Sequence, residues 1–164
     1  MKRIALLSLL LAWTATVCAD ELARESLKGM EGVRLLIEVG QNSGLQEATL
    51  QEEIAQRLIR AGVPQLDHDT WLATPGGQYL YVHVDVICPS TAAICAYAIR
   101  VELRQDALLA RATGLKVHGA TTWNSSRIGT VSATAAGDRI RPSIDALIDE
   151  FAADYRAVNP ASTE

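Results

Sequence analysis

The sequence predicts an α+β fold: a two-layer sandwich, with a mainly antiparallel sheet carrying two long helices on one face. Three observations predict it. Residues 79–88 and 95–104 alternate apolar and polar with a period of two, the pattern of strands with one buried side. Ile144, Leu147, Ile148, Phe151, Tyr155 and Val158 recur at helical spacing, and Leu50, Ile54, Leu58 and Ile59 share a second helical face.

The chain opens with a targeting pattern. Lys2 and Arg3 precede an apolar run from Ile4 to Ala12, and Val17-Cys18-Ala19 places small residues before Asp20. This is the layout of a cleavable signal peptide over 1–19, too short and wrongly flanked for a membrane span. A second reading uses Cys18 as a lipid anchor, although the valine before it is larger than acylation sites prefer. The expected localisation is the periplasm or the exterior. No later segment reaches the ~18 apolar residues of a transmembrane span. Beyond the signal, 20–32 reads as an exposed leader, 33–160 as a single domain and 161–164 as a tail.

Removing Lys2 and Arg3 with the signal takes the net charge from −4 to −6. The remaining basic residues are interspersed with acids, so no basic face offers itself to phosphates and a nucleic-acid partner is not expected.

Loss of Cys18 leaves Cys88 and Cys95, flanking the stretch PSTAAI. In an oxidising compartment such a pair closes. Placing Cys88 opposite Cys95 sets Val86 across from Tyr97, Val84 from Ile99 and Val82 from Val101, so every apolar residue falls on one face. The disulfide register and the hydrophobic register coincide, which reads the pair as a staple across a hairpin. Zinc would need two further ligands, and a redox pair would be spaced C-x-x-C at a helix start. No metal and no cofactor are expected.

The other elements follow in order. Residues 33–39 form a strand, and Thr49 with Glu52 reads as a capping box for the first long helix. Gly62 ends that helix and Pro64 prevents its restart. Residues 69–73 make a turn or two of helix, capped by Asp67 or Asp69, and Pro75-Gly76-Gly77 turns the chain into the hairpin. Residues 105–110 continue the second hairpin strand through a bulge. Lys116–Trp123 and 127–133 read as another hairpin turning at Asn124-Ser125-Ser126, which also matches a glycosylation triplet. Pro142 falls in the first turn of the last helix and Pro160 beyond its end.

The blocks ESLKGMEGV (25–33), WLATPGGQYLYVHV (71–84), YAIRVELRQDALL (97–109), TTW (121–123), IGTV (128–131) and DEFAADYRAVNP (149–160) resemble those of small exported bacterial proteins carrying no assigned function. In topology the layout is similar to envelope modules such as the TolB amino-terminal domain and the CsgG and LpoB lipoproteins. That resemblance implies action through protein contacts rather than catalysis.

The candidate site is the sheet face opposite the helices, with Tyr79, Tyr81, His83, Arg100 and Glu102 as binding residues and an envelope protein as the expected partner. Trp71 and Trp123 are expected as partly buried edges of the core that join the tyrosines if exposed. One alternative is a small hydrolase using His83 with Asp85, which requires a cleft where His83 meets a nucleophile or a water. Another is a binder of an apolar or glycan ligand between sheet and helices, which requires a cavity lined by Val84, Ile99 and Phe151. Asp67-His68-Asp69 cannot aim three adjacent side chains at one ion and reads as a helix start.

Overall fold

The computed structural model describes residues 21–160 apart from 42, 90–92 and 113. The expected signal segment, Cys18 and the tail 161–164 lie outside the described residues. The fold is α+β: a four-stranded sheet in the order β1-β2-β3-β4, with helices packed on one side. Its elements are β1 (Arg34–Val39), α1 (Glu47–Arg60), α2 (His68–Ala73), β2 (Tyr79–Ile87), β3 (Ile94–Leu108), β4 (Lys116–Ser132) and α3 (Ala136–Val158). The β1–β2 pair is parallel and the other two are antiparallel. A parallel pair needs a crossover, and α1 with α2 supplies it.

The central hairpin has the expected register. Val82 faces Val101, Val84 faces Ile99 and Val86 faces Tyr97, and the Cys88–Cys95 disulfide is formed. Val82, Val84, Ile99 and Val101 have no exposed surface. On β1 the same alternation turns Leu35 and Ile37 inward and Arg34, Leu36 and Glu38 outward.

Helix α1 covers the β1 side of the sheet with Leu50, Ile54 and Leu58, while α3 covers β3 and β4. At the α3–β4 contact the buried Trp123 ring meets Phe151 edge to face at 5.1 Å, and its Nε1 donates to Asp154 at 2.9 Å. The two helices are tied by Arg57, which donates to Asp149 at 2.8 and 3.0 Å. That bond raises the pKa of the guanidinium. A second tie joins Arg141 to Glu53.

Several expectations are corrected. The span 20–32 is not an exposed leader: Leu27 is fully buried and Met30 nearly so. Tyr155 donates to the Met30 carbonyl at 2.8 Å, Asn159 donates to the Leu27 carbonyl at 2.9 Å, and Gly29 N–H donates back to Asn159 at 2.7 Å. These bonds tie down the turn that follows a short helical stretch over 21–25.

Asn124-Ser125-Ser126 is not a turn. It lies inside β4, which runs unbroken along β3 past two register shifts, so the bulge expected beyond Leu103 is present. The long β3 offers ladder groups that only a continuous strand can satisfy. The ladder is built from backbone, so polar side chains do not prevent it: Asn124 and Ser126 face solvent, and Ser125 donates to Glu150 at 3.0 Å.

Helix α1 starts two residues before the expected cap. Gln46 precedes it without a side-chain cap bond. Leu45 and Leu50, both buried, stand in the hydrophobic-staple positions instead. Its end is as expected: Gly62, at φ 80°, donates to Ile59, and Val63 donates to Leu58, the paired bonds of a Schellman motif. Ile59 is half exposed rather than in the core. Helix α3 starts at Ala136 because the buried Ala136 and Ile140 extend its apolar stripe upstream, which leaves Pro142 inside it. Pro142 and Asp138 are both exposed, so water can reach the carbonyl that Pro142 leaves without a donor.

Candidate functional site

The open face is assembled by strand parity. Tyr79, Tyr81, His83, Asp85 and Ile87 project from β2, opposite Arg104, Glu102, Arg100, Ala98 and Ala96 of β3. Arg34, Leu36 and Glu38 of β1 and Asn124, Ser126 and Ile128 of β4 complete it. Hence the structure brings together all five residues that the sequence singled out.

Its middle is a hydrogen-bonded chain across β1 and β2. The Tyr81 hydroxyl donates to the Glu38 carboxylate and contacts His83 Nδ1 at 2.7 Å. His83 Nε2 faces Asp85 at 2.9 Å. Tyr81 is 7% exposed, while about half of each carboxylate side chain is open to water. Burial first, then the bond to Glu38 and its negative charge, push the Tyr81 hydroxyl up to about 12. Above the Tyr81 ring, at 4.1 Å, sits the Arg104 guanidinium, which also grips Glu102 at 2.7 and 2.8 Å. Arg100 stands opposite His83, exposed, and among the described residues no carboxylate lies within salt-bridge reach of it.

One end of the face is aromatic. Trp71 joins it from α2, whose first turn is capped by Asp67 accepting from Thr70 N–H at 2.8 Å. That bond lowers the Asp67 pKa. The Arg34 guanidinium covers the Trp71 ring at 4.7 Å. Trp71 and Tyr79 wall two shallow clefts of about 550 and 410 Å3. Trp123, by contrast, is part of the core. The other end is apolar: Ile87, Ile94 and Ile128 are 70, 62 and 81% exposed around Ala96 and Ala98. The alternation of 79–88 carries the signal for Ile87, which shares the outward parity of Tyr79, Tyr81 and His83, whereas Ile128 falls within the expected hairpin strand 127–133.

The hydroxyl touching His83 belongs to Tyr81, and a phenol held at about 12 keeps its proton near neutrality, which makes it a poor nucleophile. Val84, Ile99 and Phe151 are fully buried in one continuous core. A cleft of about 610 Å3 between α1 and α3 lies away from the open face, lined by Glu53, Arg57, Arg141 and Asp145, which are paired with one another or with Asp149. Among the described residues no group of three His, Cys, Asp or Glu is placed to hold a metal ion, and no helix is long and apolar enough to cross a membrane. Compared with known proteins, the chain matches no family model and no curated sequence.

Proposed function

We propose that this is an exported, non-enzymatic protein of the cell envelope that binds a protein partner through its open sheet face. The observation that carries the reading is the contrast between the two faces of one sheet. One is sealed by helices. The other exposes three isoleucines beside an ordered polar strip and an aromatic end. Scattered apolar residues are ordinary on surfaces, but adjacent ones flanked by Arg and Tyr are the composition of interface cores. The cross-bonded side chains of the strip are held before a partner arrives, which lowers the entropy cost of docking.

Export is supported by the signal-like pattern of 1–19 and by the Cys88–Cys95 bridge, which persists in oxidising compartments. The likeness to envelope modules points the same way.

The test is site-specific photo-crosslinking in envelope preparations. A crosslinker at Ala98, in the open face, is expected to give a discrete heterologous adduct. That adduct should weaken with Tyr81→Ala and with Arg100→Ala, while a crosslinker at the exposed Gln56 of α1 should give none. Equal adducts from both positions, or an Ala98 adduct indifferent to both substitutions, would remove this face from consideration.

A further inference from the structure

Strand β4 is an outer strand, and half its backbone groups face away from β3. Ala133 N–H bonds the Ala93 carbonyl, so by antiparallel alternation the odd residues 123–131 bond β3 and the even ones point outward. Asn124, Ser126, Ile128 and Thr130 therefore aim their N–H and C=O groups at the free edge. At Thr122 the edge is closed, because Ser26 Oγ donates to its carbonyl at 3.2 Å.

From Thr121 to Ser132 this strand contains no proline and no lysine, and it carries an isoleucine that is 81% exposed. Arg127 is its single charge. An edge of this kind is a template for another strand unless a charge blocks it. Arg127 blocks any partner strand that brings no carboxylate to meet it.

We propose that β4 is a dimerisation edge, pairing antiparallel with β4 of a second copy about a two-fold axis through Ser126. Asn124, Ser126 and Ile128 then exchange backbone hydrogen bonds with Ile128, Ser126 and Asn124 of the other copy. In that register Arg127 stands opposite Ser125 of the second copy, whose hydroxyl already bonds Glu150 at 3.0 Å. Each Arg127 thus arrives beside a Glu150, and symmetry repeats the pair. An axis through Arg127 would instead set the two guanidiniums against each other, so charge disfavours that register.

Helix α3 agrees with this geometry. Its β4-facing side is marked by Glu150 on Ser125 and Asp154 on Trp123. That same side carries Ala146, Ala153 and Ala157, short side chains that let a second α3 come close as the sheets join. The joined sheet presents two open faces side by side. The inference is independent of what those faces bind.

The experiment is sedimentation of the mature chain over two decades of concentration, reaching the submillimolar range. The wild type is expected to sediment as a dimer in the upper range. Arg127→Glu and Glu150→Arg should each weaken association by about tenfold or more, since both symmetric pairs become like-charged. The double variant R127E/E150R should recover it. Ser126→Pro removes an outward N–H at an edge position, where proline is tolerated, so it should be a folded monomer with an unchanged circular dichroism spectrum. A wild type monomeric at every concentration overturns the proposal, and so does a dimer indifferent to the single reversals or not recovered by the double one.

Discussion

Opening the Cys88–Cys95 bridge is expected to lower the unfolding free energy by about 2.5 kcal/mol while leaving the hairpin register intact. The bridge closes a loop of sequence separation 7, and loop-closure entropy for so short a ring is roughly 8 cal/mol/K, or about 2.5 kcal/mol at 25 °C. The native cost is small because the register is held by other means: Val86 against Tyr97, Val84 against Ile99 and Val82 against Val101 bury their side chains whether or not the sulfurs are joined. The protein would be unfolded, reduced, refolded with reductant and titrated with urea beside its oxidised form. With a slope of about 1.5 kcal/mol per molar urea the midpoint should fall by about 1.7 M. A shift below about 0.5 M would mean that the bridge hardly constrains the unfolded chain. Loss of backbone amide protection in the central hairpin of the reduced native protein would mean that the hairpin depends on the bond, and the argument from side-chain alternation would be refuted.

Further outcomes follow from the core and the open face. Tyr81 ionises near 12 in the folded state against about 10 in an unfolded chain, so its stabilising contribution is complete below about pH 10 and is lost as pH rises through 12. Tyr81→Phe should remove that part of the alkaline decline in stability-versus-pH curves. Leu27→Ala is expected to cost about 2–5 kcal/mol by calorimetry, and a loss near zero would return residues 21–32 to solvent. A Cβ at Gly129 would come 2.6 Å from the Tyr97 hydroxyl, so Gly129→Ala should cost about 1–3 kcal/mol. Most of that loss should vanish in a Tyr97→Ala background, read as a double-mutant cycle.

The parts legible in the sequence were those where two independent constraints agreed. Cys88 and Cys95 on one side, and the alternation of Val82, Val84, Ile99 and Val101 on the other, select one pairing, and that pairing carried Tyr79, Tyr81, His83, Arg100 and Glu102 to their shared face. Legibility failed where a segment's partners lie far along the chain. Leu27 and Met30 follow no period, since their burial is decided by Tyr155 and Asn159 at the far end of α3. Asn124-Ser125-Ser126 has turn composition, yet the length of β3 decides its conformation. The Trp71 end of the face is a tertiary meeting of α2, β1 and β2 that local pattern could not disclose.

The bonds between residues 27–30 and residues 155–159 make the segment before β1 part of the footing of α3. Its buried apolar groups and carbonyls find partners 125 to 132 positions along the chain, so loosening either end deprives the other of its hydrogen bonds, and the two ends open as one cooperative unit.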